Sequence, residues 1–140
     1  MSEIRSRKPE PRNIERELGM GYVSIFATIF FTVYGQIMLK WRISKYGSLP
    51  PDVGDKVIFL LKLLFDPLIL SGFVSAFVAS LFWMAAMTKF DISYAYPFMS
   101  LSFVLVFLLS VILFHESVNA YKIAGLALIV LGIIVTSKAV

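Results

Sequence analysis

The sequence predicts an all-α membrane protein with four transmembrane helices and one short interfacial amphipathic helix between the first and second. Two observations carry this. The 140-residue chain is 59% hydrophobic and only 16% charged, with a mean hydropathy of +0.83, whereas soluble domains are about a quarter charged. Its apolar residues fall into four long runs whose middles carry no charge, separated by short charged or turn-rich breaks. No run alternates with period two, which excludes a barrel, and backbone polar groups in lipid must then be satisfied within helices.

The first residues, 1–19, read as a charged cytoplasmic tail, with five basic and four acidic residues plus Pro9 and Pro11. Its end, from Asn13 to Leu18, is either disordered or a short helix capped by Asn13. The four-helix domain is expected over 20–138. Its first span, about 20–40, is closed by Lys40-Trp41-Arg42, and some 20 residues at about 1.5 Å each cover the roughly 30 Å hydrocarbon core. It follows a charged tail and lacks a small-residue cleavage site, so it reads as an uncleaved helix rather than a signal peptide. A turn-rich break, 47–54, leads to a stretch at about 55–65 that is too short and too charged to span. Asp55, Lys62 and Asp66 share one narrow stripe there, the pattern of an interfacial helix.

The second span, about 67–88, opens on Pro67, which suits a first helical position. Ser71, Ser75 and Ala79 recur at every fourth residue, as do Gly72, Ala76 and Ser80, a spacing that lets helix backbones approach in lipid. The third span, about 92–114, has Pro97 near its start and ends at His115-Glu116-Ser117. The fourth, about 118–137, carries Gly125 and Gly132 on one face, an expected packing seam.

Four spans place both termini on one side. Seven basic residues fall on that side and six on the other, and the tail favours termini in the cytoplasm. The near balance leaves room for dual insertion and an antiparallel homodimer. Lys40, His115 and Glu116 then share one membrane face, with Lys89 and Asp91 at the other.

The absence of cysteine excludes disulfides, and a single histidine argues against a histidine-based metal site. No cofactor is expected. The basic tail flanks a membrane segment, which suits anionic lipid rather than nucleic acid. No nucleophile, base and third group assemble at sensible spacing, so an enzyme is not expected.

The candidate substrate-binding residues are few. Lys40 is either a snorkelling interfacial lysine or a phosphate ligand. Glu116 serves the N-terminus of the fourth helix, pairs with Lys40, or recognises a cationic or hydroxylated head group. Tyr94, Tyr96, Ser100 and Ser102 make the third span unusually polar, and Pro97 frees a backbone carbonyl there. They line a pathway or hydrogen-bond between helices. Gln36, an amide within the first span, is structural glue or a ligand. Trp83 contacts a ligand or packs.

The run Phe82-Trp83-Met84-Ala85-Ala86-Met87, followed by Ile92-Ser93-Tyr94-Ala95-Tyr96-Pro97-Phe98-Met99-Ser100-Leu101-Ser102, then His115-Glu116-Ser117 and the glycine-flanked run from Gly125 to Gly132, resembles four-helix, half-size members of the drug/metabolite transporter superfamily. These are the EamA-like and small multidrug resistance-like proteins. Gly35-Gln36, Lys40, the Ala-Tyr-Pro and Ser-Leu-Ser runs and the His-Glu pair resemble in particular the aminoarabinose-phosphoundecaprenol flippase subunits. The resemblance covers about 20–138. It implies two similar four-helix chains, as a homodimer or heterodimer, enclosing a cavity among the membrane lipids. A lipid-linked substrate would set its phosphate near Lys40, its head group against Tyr94, Tyr96 and Ser100, and its tail between helices. The multidrug branch carries an essential glutamate in the first helix, where this chain has Thr32. Threonine cannot cycle a proton near neutral pH, which argues against drug antiport of that type.

Three functions therefore compete. The leading one is a transporter that flips a polyprenyl-phosphate-linked sugar or similar lipid between leaflets. The second is a small-cation or multidrug exporter using Glu116 or Asp91, which proton flux coupled to substrate would reveal. The third is a non-transporting accessory subunit of a membrane enzyme, which would lose its complex on deletion of the tail.

Overall fold

The computed structural model describes residues 10–139. They form six helices: α1 Pro11–Tyr46, α2 Val53–Leu64, α3 Pro67–Met87, α4 Ile92–Met99, α5 Leu101–Phe114 and α6 Ala120–Ser137. Four stretches are long and apolar enough to cross a membrane: α1, α3, α4 with α5 as one 23-residue run, and α6. The short α2 lies between the first two of these, as expected.

The end of the tail differs from its expectation. Asn13 does not cap a separate helix. The 36-residue α1 opens after Glu10, with Pro11 in its first turn, and runs unbroken into the apolar segment. Pro11 suits that place because the first-turn N–H groups lack intrahelical partners. Asn13 instead donates its backbone N–H to the Glu10 carbonyl at 2.8 Å. At 1.5 Å per residue α1 is about 54 Å long, well beyond the hydrocarbon core. It stops at Gly47, whose φ of 84° lies in the left-handed region open to glycine.

The third span is not one helix. Pro97 has no N–H for the Ser93 carbonyl. Just beyond it the pattern tightens, with Ser100 N–H donating to Pro97 O and Phe103 N–H to Ser100 O, both at 3.0 Å. α4 and α5 therefore meet at Ser100. His115, at φ 52°, then turns the chain out of α5, and the Asn119 side chain caps α6 by accepting from Lys122 N–H at 2.9 Å.

The helices pack mainly through α1 against α3. A Cβ placed on Gly35 would lie 3.0 Å from the Gly72 carbonyl oxygen, and one on Gly72 would lie 3.4 Å from that of Gly35. Ser75 Oγ donates to the Phe31 carbonyl across the same contact at 2.6 Å. Lipid offers no hydrophobic drive between helices, so close backbone approach and such hydrogen bonds hold them. A second core gathers Ile25, Ile29, Val33, Ala86, Phe90, Tyr94 and Ala95. The seam expected on α6 meets no partner among the described residues: none lies within 4 Å of a Cβ built on Gly125 or Gly132, and α6 buries no residue. The close approach is made on the α1–α3 side, which leaves α6 peripheral.

Candidate functional site

A cavity of about 640 Å³ lies between α1, α3 and the α4–α5 junction. Small residues make it possible. Gly35 and Gly72 bring α1 and α3 together, and Ala76 and Ala79 keep the α3 wall low. The junction supplies Tyr96, Ser100 and Ser102. Trp83 from α3 meets Tyr96 edge to face, with ring centroids 5.6 Å apart.

Among the described residues, no aspartate, glutamate, lysine, arginine or histidine lines this cavity. Its polarity comes from hydroxyls, one amide and one indole. Three hydroxyls donate to carbonyls of their own helix: Thr28 to Ser24 at 2.8 Å, Ser80 to Phe77 at 2.6 Å and Ser102 to Met99 at 2.6 Å. Their oxygen lone pairs remain as acceptors. The side chains of Thr32, Gln36, Trp83, Tyr96 and Ser100 make no hydrogen bond among the described residues, and none of their polar atoms is sealed from access.

Gln36, Trp83, Tyr96, Ser100 and Ser102 are thus brought together from the sequence candidates. Lys40 and Glu116 do not line the cavity. Lys40 follows Gln36 by one turn of α1, about 6 Å along the axis. Its Nζ lies 3.2 Å from Glu116 Oε1, both side chains being partly exposed. The left-handed His115 and the non-helical stretch after α5 carry Glu116 to this position.

Tyr94 is placed elsewhere and does not line this cavity. Two residues along a helix turn the side chain by about 200°, so Tyr94 and Tyr96 face opposite ways. Tyr94 is buried against Phe90 and Phe98, and its hydroxyl lies 2.6 Å from that of Tyr22.

Two features escaped the sequence reading. Thr28 and Thr32 precede Gln36 and Lys40 at steps of four, a row that could have signalled the cavity face of α1. Asp66 was assigned to the α2 stripe, but α2 ends at Leu64 and Asp66 belongs to α3. Its Oδ1 accepts from Leu68 and Ile69 N–H at 2.9 and 3.4 Å. Its Oδ2 accepts from Tyr46 OH at 2.5 Å and Arg42 Nε at 2.7 Å. An Asp-Pro pair is itself a helix-start signal. Hydrogen bonds from Tyr46, then Arg42, then the two backbone amides, hold the Asp66 carboxyl at about 2 against the desolvation that opposes ionisation. This cluster ties the end of α1 to the start of α3.

At the other end of α1, Glu17 lies 3.5 Å from Lys89. From Glu17 to Lys40 is about 34 Å along α1, close to the roughly 30 Å of a bilayer core. The ion pairs therefore mark two charged ends, with the uncharged cavity between them.

Comparison with known proteins agrees with this architecture. The model of the EamA-like transporter family matches residues 12–138. A probable 4-amino-4-deoxy-L-arabinose-phosphoundecaprenol flippase subunit ArnF of Aeromonas hydrophila is 30% identical over 124 residues, covering 87% of this chain and 82% of that protein. The corresponding ArnF of Erwinia tasmaniensis is 30% identical over 121 residues, 82% of this chain and 92% of that one. A probable subunit ArnE of the same kind of flippase from Proteus mirabilis is 27% identical over 118 residues, 84% and 97% of the two chains. No solved structure matches. With four membrane-crossing stretches and a family match over nearly its whole length, this integral membrane protein belongs to the EamA-like transporter family.

Proposed function

We propose that this chain is one subunit of a two-chain transporter that flips a polyprenyl-phosphate-linked sugar, or a similar lipid, between the leaflets of a bacterial or archaeal cytoplasmic membrane. The observation that carries the reading is the juxtaposition of an uncharged cavity with Lys40 one turn beyond it. An ammonium is a point-charge partner for a phosphate. Hydroxyls and an amide suit a sugar, and the apolar helix faces suit a polyprenyl tail. The relatives named as subunits of a phosphoundecaprenol flippase support the same substrate class.

Their two subunit names also support assembly with a similar four-helix chain, either a second copy or a different one. The basic tail supports termini on the cytoplasmic side. The family supports transport rather than catalysis. Proton-coupled cation export is the weaker reading, because Thr32 lines the cavity at the place where a multidrug exporter would carry its carboxylate.

Glu116 is the partner of the Lys40 ammonium, at 3.2 Å. An arriving phosphate would replace that carboxylate and keep the lysine paired. Binding of undecaprenyl phosphate by the full chain in lipid nanodiscs tests this. Lys40→Ala should weaken binding at least about tenfold, and Lys40→Arg should restore most of it. Equal binding by the parent and Lys40→Ala would remove Lys40 from the site.

A further inference from the structure

We infer that a second pocket, at the membrane face opposite Lys40, binds a zwitterionic lipid head group, with its phosphodiester at Lys89 and its primary ammonium at Asp91. The inference goes beyond the transport reading and stands whether or not Lys40 holds a phosphate.

The pocket, of about 400 Å³, lies where α1, the α3–α4 turn and the chain just past α6 converge. Leu18, Met87, Thr88, Lys89, Phe90, Asp91, Tyr94 and Ala139 line it. From Leu18 to Lys40 is about 33 Å along α1, against roughly 30 Å of hydrocarbon core. The pocket therefore sits at head-group depth on its side of the membrane.

One tight turn supplies both charges. Lys89 and Phe90 donate their N–H groups to the Ala86 carbonyl, and Tyr94 N–H donates to the Asp91 carbonyl, all at 3.0 Å. Gly21 seats this turn on α1. A Cβ there would lie 2.6 Å from Phe90 Cε2 and 3.0 Å from Lys89 Cβ. Phe90 and Tyr94 are buried, with ring centroids 5.3 Å apart, and give the pocket an aromatic wall.

The two charges do not pair with each other. Lys89 Nζ faces Glu17 at 3.5 Å. An ammonium has three donors, so a phosphodiester reaches it without breaking that pair. Asp91 stands at the N-cap of α4, yet its side chain accepts no capping hydrogen bond. It also forms no ion pair among the described residues. Such a pocket fits a ligand that carries both signs. A purely anionic head group meets the Asp91 carboxylate, and a purely cationic one meets Lys89. A primary ammonium gives a carboxylate charge-assisted hydrogen bonds, whereas a quaternary ammonium has no N–H to give. Phosphoethanolamine has the required pair of charges, two carbons apart. A phosphate-linked amino sugar carries the same two groups, so the ligand is either a bilayer lipid or a transported one.

The test labels the full chain at the pocket. The sequence has no cysteine, so Ala139→Cys takes an environment-sensitive dye at one position. The labelled protein is placed in phosphatidylcholine nanodiscs with rising fractions of phosphatidylethanolamine, phosphatidylglycerol or undecaprenyl-phosphate 4-amino-4-deoxy-L-arabinose. Phosphatidylethanolamine should act at an about tenfold lower fraction than phosphatidylglycerol. Lys89→Gln should weaken its effect about tenfold, and Glu17→Gln should leave the effect in place. Asp91→Asn should raise the response to phosphatidylglycerol to that of phosphatidylethanolamine, a gain that misfolding cannot produce. A response to the amino-sugar lipid alone supports the same head-group chemistry and makes the transported lipid its source. A response to phosphatidylethanolamine alone makes the source the bilayer. Equal responses to phosphatidylethanolamine and phosphatidylglycerol in the parent chain overturn the inference. So does an unchanged preference in Asp91→Asn, or no response to either ammonium lipid.

Discussion

Lys40 Nζ lies 3.2 Å from Glu116 Oε1, joining the end of the first membrane-crossing helix to the stretch that follows the third. The lysine side chain is 56% exposed and the glutamate 38%. An ion pair so open to solvent contributes little to stability. Its importance lies in where it holds the ammonium, at the end of a cavity without any charge of its own.

Glu116→Gln should therefore leave the fold nearly as stable, within about 1 kcal/mol, while releasing Lys40. Undecaprenyl phosphate should then bind more tightly than to the parent chain, because it no longer competes with a carboxylate. Titration of both proteins in nanodiscs measures this. Weaker binding in the variant would show that Glu116 assists the ligand rather than standing in for it.

The Asp66 cluster makes stability depend on acid. The folded-state value of about 2 lies below the ordinary 3.8. Between those values the unfolded chain binds the proton and the folded chain does not, so stability rises with pH. The contribution is full above about pH 4 and is lost as pH falls through about 2. Thermal unfolding in detergent should show a fall in Tm over that window, and Asp66→Asn should flatten it. An identical acid profile in the variant would exclude Asp66 as its source.

The α1–α3 crossing should tolerate no added bulk. Gly35→Val would drive its side chain into the Gly72 carbonyl, which a new Cβ already meets at 3.0 Å. Overpacking of this kind costs about 1–3 kcal/mol. Gly132→Ala adds a methyl that meets nothing within 4 Å, and helix propensity favours it by about 0.5–1 kcal/mol. Comparing Tm in detergent separates the two. A similar loss at both positions would mean that the crossing is not where the helices are tightest.

Much of this architecture was legible from sequence, for physical reasons. The four membrane-crossing stretches stood out because lipid tolerates neither central charge nor open backbone. Lys40 and Glu116 could be placed at one face because an odd number of spans separates them from the tail. Cavity facing was harder. Tyr94 and Tyr96 look equivalent in the sequence, yet a helix turns them apart, and only packing shows that Tyr96 is the one at the cavity. Gly35 and Gly72 each carried a small-residue signal, but which glycines meet is a property of two helices. Asp66 was misread because its stripe with Asp55 and Lys62 obscured a plainer local signal, the proline that follows it. The end of the tail, from Pro11, merged into α1 because a helix already nucleated by the membrane segment extends cheaply through polar residues.

The role of Lys40 is the centre of the proposal, and leaflet transfer tests it most directly. Full-length protein is reconstituted into vesicles with a fluorescent undecaprenyl-phosphate sugar, and arrival in the outer leaflet is read by quenching. Lys40→Ala should abolish protein-dependent transfer while Tm stays within a few degrees of the parent, and Lys40→Arg should restore it. Transfer by a folded Lys40→Ala protein at the parental rate would mean that the phosphate is held elsewhere.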